Sequence, residues 1–254
     1  MPTSRRRSLT SIRRRPRARR DTECAHLVAW PGPPEGLSGA VNPRPSSSHL
    51  PRPSRGVPGL FLGVGVTTIA ALYVDPRGCY AGLPGVDVWD EQRDARRYAG
   101  PHPVVAHPPC SRWCRLAGLV EARYPHLRGQ YKGNDGGAFA AALDAVRTWG
   151  GVLEHPAASR AWVAHRLATP PSSGGWVAAD WHGGWTCHVE QGHYGHRSNK
   201  ATWLYACRVT PPSLAWGPSP GARKVVEKQS KRERNATPPA FRDVLLSMAR
   251  GVQR

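Results

Sequence analysis

The sequence predicts an α/β fold, and three observations predict it. Short runs of β-formers alternate along the chain with stretches of helical periodicity, the order that builds a sheet flanked by helices. The first run, "TIAALYV" (68–74), has an apolar centre that suits a strand buried on both faces. Four of the runs end in acidic or reactive residues, and the carboxyl ends of such strands are where ligands sit.

Element by element, residues 68–74 form a strand closed by the turn chemistry of "DPRG". "GVDVWD" (85–90) is a second strand, and "EQRDARRYA" after it reads as a short polar helix. "PVVA" (103–106) is a third strand. "NDGGAFAAALDAVRTWGG" (134–151) is the clearest helix: Asn134 or Asp135 can cap it, Gly150 stops it, and Phe139, Leu143 and Val146 share one face. "GVLEHP" (151–156) is a fourth strand, and "SRAWVAHRLA" (159–168) a further helix. "GWTCHVEQ" (184–191) and "ATWLYAC" (201–207) make a final pair of strands. Thr237 is placed to cap a last helix opening with Pro238 and Pro239, with Phe241, Val244, Leu245 and Met248 turned inward. The strand ends then line up Asp75, Asp90, His107–Cys110 and Glu154 along one rim.

Charge points to polyanions. The 254 residues carry 36 Lys+Arg against 17 Asp+Glu, a formal net charge of +19. Residues 1–57 hold twelve arginines and three acids, a net +9, in a Pro-, Ser- and Gly-rich context unable to bury enough surface to fold. Residues 1–58 are therefore expected to be disordered: a DNA-binding arm, a solvated tail, or a stretch upstream of the genuine translation start. An organelle transit peptide is a weaker reading, because the stretch shows no amphipathic helix. Residues 59–216 would form the α/β domain, and 217–254 a charged linker and terminal helix. Six cysteines without a C-x-x-C, no signal-peptide core and no apolar run near the ~20 residues of a membrane span indicate reduced thiols in a cytoplasmic protein with no membrane partner.

Three short motifs carry the chemistry. In "HPPCSRW", two prolines stiffen a turn just past a strand and present Cys110 beside Arg112 and Arg115, whose charge would lower a thiol pKa; the bland alternative is a small buried cysteine. In "VLEHP", Glu154 is a carboxylate on an apolar strand, either functional or salt-bridged, with Arg112 a possible partner. In "VEQGHYGHRSNKATWLYA", the groups Gln191, His193, Tyr194, His196 and Lys200 crowd before a strand and could hold a base or phosphate; otherwise they form a wet loop. Zinc is a rival chemistry, since His107, Cys110 and Cys114 could join Cys187, His188, His193 or His196, although no familiar finger spacing occurs. The tryptophans are expected mainly in the core, Trp113 and Trp89 excepted.

The order Pro-Pro-Cys, Glu after an apolar strand, then a Gln-to-Lys block resembles that of cytosine-C5 DNA methyltransferases. It is closest to compact phage and prophage proteins carrying "HPPC", "EHP" or "ENP", and "YGH" or "FGH" before "K-x-T", over residues 68–250. That resemblance implies a Rossmann-like sheet of the class I methyltransferase kind, S-adenosylmethionine as cofactor and DNA as partner. It implies Cys110 as the nucleophile on C6 of a flipped cytosine, Glu154 on the ring's N3 and amine edge, and Lys200 in place of the usual arginines. It also implies a cofactor site drawn from Asp75, Gly78, Asp87, Trp89, Asp90 and Pro108, and nucleic-acid contacts from Arg112, Trp113, Gln191, Tyr194 and His196, with no resident metal.

Two departures from the family pattern keep other readings open. The first strand is followed by only Gly78 and Gly82, a poor glycine loop, while "FLGVGV" (61–66) fits better but precedes a strand rather than a helix. No separate target-recognition domain follows the motifs, so specificity would be weak or supplied by a protein partner. The alternatives are a non-catalytic nucleic-acid-binding protein on a degenerate methyltransferase scaffold and a zinc-dependent nuclease or hydrolase.

Overall fold

A computed structural model describes residues 67–114, 116–220 and 229–253. The low-complexity start, "FLGVGV", Arg115 and residues 221–228 of the charged stretch lie outside the described residues. Those described build one mixed sheet of seven strands covered on both faces by helices.

The strands are β1 (Ile69–Leu72), β2 (Val86–Trp89), β3 (Val104–Ala106), β4 (Gly151–Pro156), β5 (Trp176–Ala178), β6 (Trp185–Glu190) and β7 (Ala201–Cys207), in the order β2-β1-β3-β4-β7-β6-β5. The first four pair in parallel. β7 runs antiparallel to both β4 and β6, and β5 antiparallel to β6. The helices are α1 (Ala117–Arg123), α2 (Ala138–Trp149), α3 (Arg160–Ala164), α4 (Lys231–Asn235) and α5 (Pro239–Arg250). None among the described residues is long and apolar enough to cross a membrane.

The period-2 alternation of the strands splits the core into two layers. Ala70, Leu72, Val104, Ala106 and Leu153 face α2 and pack on Phe139, Leu143 and Val146. Ile69, Ala71, Val105, Val152 and Leu204 face the other way, onto Phe241, Leu245 and Met248 of α5. Val244 is partly buried against that second layer, and Leu246 joins it as well. At the top of β4 the same alternation turns Glu154 toward the α5 side and His155 toward α2, where His155 meets Phe139 and Trp162.

Each helix end has a local cause. Asp135 caps α2: its carboxylate accepts from the Gly137 and Phe139 amides at 3.0 and 2.9 Å, and Gly150, at φ 79°, ends the helix. Ser159 caps α3 by accepting from Ala161 N at 3.1 Å. Thr237 does not cap α5; Pro238 occupies the cap position without a side-chain bond, and the helix opens on Pro239. "EQRDARRYA" contracts to a single 3-10 turn, Ala95–Arg97, because Asp94 sits in the left-handed region and binds the Arg96 amide and guanidinium. The helices α1 and α4 and the strand β5 appear where no element was expected.

Candidate functional site

The chain leaves β1 for β2 on one side and then crosses back to β3 on the other, so the loops after β1 and β3 diverge. Such a switch point opens a crevice at the carboxyl ends of the strands. A cavity of about 800 Å³ lies there, lined by Tyr73 and Asp75 after β1, Asp90 and Arg96 after β2, Pro109 after β3 and Asp135 before α2. The volume suits a nucleoside-sized ligand. The Tyr73 hydroxyl is buried without a hydrogen-bond partner among the described residues, and burial pushes its pKa up.

On the far side of Pro109 the HPPC turn and β4 meet. Ala106 pairs with Leu153, so His107 and Glu154 come level one residue beyond the register. Glu154 Oε2 takes a hydrogen bond from His107 Nδ1 at 3.0 Å, and Oε1 takes one from the Gln191 amide at 3.1 Å. Gln191 also donates to Thr202 Oγ1 at 3.0 Å, and Tyr80 Oη lies 2.9 Å from His107 Nε2. Glu154 is 8 % exposed and Gln191 wholly buried. Burial alone would raise the Glu154 carboxyl. The hydrogen bond and attraction of His107, with smaller help from Lys200 and His155, outweigh it and hold the group at about 2. Glu154 is therefore an anion in the resting protein.

Lys200 enters from the start of β7. Its backbone is left-handed, at φ 42°, and its ammonium donates to the Ala236 carbonyl at 2.7 Å. Burial lowers its pKa, and the nearby Glu154, Cys110 and Cys79 partly restore it. Cys110 is half-buried, and its thiol is pushed above the ordinary range, first by burial, then by Glu154 and Cys114, with Lys200 acting the other way. Thiol, carboxylate and ammonium thus sit close enough to feel one another's charge.

The HPPC turn does not lower the thiol pKa as its sequence suggests. Arg112 lies 3.7 Å over the Tyr131 ring and exerts no resolved influence on Cys110. Nor does Arg112 bind Glu154, whose partners are His107 and Gln191. Trp113, expected as an exposed stacking residue, is 8 % exposed, packs against Phe139 and donates to Asp135 Oδ2 at 2.7 Å. Gln191 supports Glu154 from inside the protein and presents no surface to nucleic acid. Tyr194 packs on Phe241 and accepts from the Ala215 amide, while His196 is bonded to Ser198 and the Glu233 carbonyl, so both anchor chain segments.

On the cofactor side, Asp75 and Asp90 line the cavity, and Pro109 does so in place of Pro108, which is buried. Gly78 is absent from the lining and instead closes a turn onto the Asp75 carbonyl at 2.8 Å. Asp87 is taken up by Trp89 Nε1 and the Arg93 guanidinium at 2.8 and 2.6 Å. That guanidinium also lies 4.0 Å over the Trp89 ring and covers that face of it. Among the described residues no group of three or more His, Cys, Asp or Glu is placed to hold a metal, and His188 is bonded to Trp203 within the sheet.

Tyr80 is the residue that sequence reasoning missed. It sits in a turn 27 residues before His107, and only the parallel β1–β3 pairing brings the two together. No family model, curated protein or solved structure matches the chain.

Proposed function

We propose that the chain is a DNA cytosine-C5 methyltransferase-like enzyme on a Rossmann-like scaffold, acting in the cytoplasm of a bacterial or phage-infected cell. What supports this reading is that Cys110, Glu154 and Lys200 lie near enough to shift one another's ionisation, and that Pro109, next to Cys110 in the chain, lines a nucleoside-sized cavity.

The cavity fits S-adenosylmethionine on two counts: its volume, and the Asp75 and Asp90 carboxylates in its lining, which suit ribose hydroxyls or an ammonium. When bound, that cofactor supplies an electrophilic methyl group for C5. The chain's residues do the remaining work. Cys110, once deprotonated, adds to C6 of the flipped base and moves the ring electrons toward C5. Glu154 accepts from the exocyclic amine of the base, and Lys200 places a positive charge beside the electron-rich adduct. Loss of the C5 proton then returns the electrons and expels the thiolate. Both the base and the thiol must enter a water-poor site, which favours a flipped nucleotide over one still in the stack. The basic balance of the chain supports DNA as the partner, and a protein partner would supply target specificity.

Trapping tests the reading. DNA containing 5-fluorocytosine cannot lose its C5 substituent as a proton, so with labelled cofactor the wild-type protein is expected to form a covalent adduct that Cys110→Ala does not. A wild-type protein that forms no adduct refutes the catalytic role.

The raised thiol pKa favours a second reading, a non-catalytic nucleic-acid-binding protein on the same scaffold. Calorimetry separates them: submillimolar binding of S-adenosylmethionine that is lost in Asp90→Ala counts against the binding-only alternative.

A further inference from the structure

Glu154 is an anion with almost no exposure, and a buried anion persists only where donors hold it. Two donors reach it from within the protein, the Gln191 amide on Oε1 and His107 on Oε2. An ionised carboxylate only accepts, so His107 carries its proton on Nδ1. The Tyr80 hydroxyl is buried, and His107 Nε2 is its one hydrogen-bond partner among the described residues. Burial keeps the phenol protonated. Tyr80 Oη stands 2.9 Å from His107 Nε2, so the phenol holds the side of the ring opposite Glu154. Tyr80, His107 and Glu154 form one line of hydrogen bonds.

We infer that Tyr80 and His107 are a positioning pair that fixes the orientation of Glu154, so that its carboxyl group meets the pyrimidine edge in one geometry. This deepens the catalytic reading above and rests on it. Nothing in packing alone calls for the arrangement, since apolar side chains would fill the same space at lower cost than a buried phenol, imidazole and carboxylate. Gln191 alone leaves Oε2 free to rotate; His107 removes that freedom, and Tyr80 stops the imidazole from turning its other nitrogen to the acid.

Two measurements on the full chain test the pair. The first needs no substrate: the side-chain carboxyl carbon of Glu154 is followed by NMR between pH 4 and 7, its resonance identified by its loss in Glu154→Gln. Wild type is expected to stay ionised throughout. His107→Leu is expected to move the protonation midpoint upward by more than one pH unit, Tyr80→Phe by less, and His107→Gln, which keeps one N–H donor, to remain near wild type. The second is the rate of adduct formation with 5-fluorocytosine DNA. Tyr80→Phe should slow it roughly tenfold and His107→Leu roughly a hundredfold, as expected for lost hydrogen bonds to a charged group, with His107→Gln recovering part of the rate. Tyr80→Phe removes one oxygen from a ring that stays packed, so it guards against a folding defect in the His107 variants.

Identical Glu154 titrations in wild type and His107→Leu overturn the pair, as do equal adduct rates in wild type, Tyr80→Phe and His107→Leu. If wild type traps no DNA at all, the methyltransferase reading falls, while the NMR titration still decides whether Tyr80 and His107 position Glu154.

Discussion

His155 sits in the core where burial outweighs the nearby Glu154 charge, and that makes acid a selective perturbation. The ring is 1 % exposed, edge-on to Phe139 at 5.2 Å and stacked beside Trp162. Among the described residues neither nitrogen finds a hydrogen bond of good geometry, and Glu154, the Pro109 backbone and Asp135 favour the proton less than burial opposes it. Burial drives its pKa down to about 4 from the usual 6.5. A group depressed in the folded state contributes stability that is complete above its unfolded pKa and is lost as the pH falls toward the folded one. The window here runs from about pH 6.5 down to about pH 4. Going from pH 7 to pH 5 then removes about 2 kcal/mol, rising to about 3 kcal/mol at pH 4. Leucine has nearly the volume of the imidazole and cannot titrate. In urea unfolding followed by tryptophan fluorescence, wild type is expected to lose about 2 kcal/mol more between pH 7 and pH 5 than His155→Leu. Partial losses from His165 and His188, whose pKa values are also lowered by burial, occur in both proteins and cancel in the comparison. Equal pH slopes in the two proteins would refute the claim that His155 is held neutral by burial.

Three further outcomes follow from the same structure. Glu154→Gln removes the carboxylate that, after burial, most raises the Cys110 thiol, so iodoacetamide should alkylate Cys110 faster at pH 7.5 in the variant than in wild type, read by mass spectrometry of the modified peptide. Gly151→Ala should unfold the protein or cost it at least ~3 kcal/mol, because Gly151 has φ 124° and a Cβ there would stand 2.0 Å from the Val104 carbonyl oxygen; a melting temperature within a few degrees of wild type would contradict this. Asp135→Ala removes the α2 cap and the partner of Trp113 together, an expected loss of ~2–3 kcal/mol in chemical denaturation, with Asp135→Asn retaining part of it.

The strands that carry the site are legible in the sequence because they are short apolar runs ended by turn residues, and Gly151–Pro156 matches its motif residue for residue. The α2 helix is legible too, since three aromatic or aliphatic residues at helical spacing between Asp135 and Gly150 leave little else for that stretch to be. The strand β5 is not, being three residues between glycine-rich turns, its Trp176 tied to the distant Pro212 carbonyl. Within the site, Cys110, Glu154 and Lys200 stand out as polar groups where apolar ones are expected. The roles of Arg112 and Trp113 are misread because their partners, Tyr131 and Asp135, lie some twenty residues downstream in a stretch without periodicity. The same holds for Gln191, whose neighbours in sequence suggest a wet loop while the register of β7 on β4 turns it inward.

The reversed strand β7 works as a ruler for the chemistry beside it. Pairing of Glu154 with Leu204 and of Glu190 with Ala201 makes residues 191–200 the tip of a hairpin, and the spacing of the backbone ladder alone decides which tip residues reach the acid. A slip of two residues would preserve every inward and outward face, and so cost the core little, yet it would carry the Gln191 amide ~7 Å from Glu154. Under the proposed function, selection would then be felt as selection on strand alignment, and substitutions far down β6 or β7 that loosen that alignment should separate Gln191 from Glu154 while leaving the protein folded.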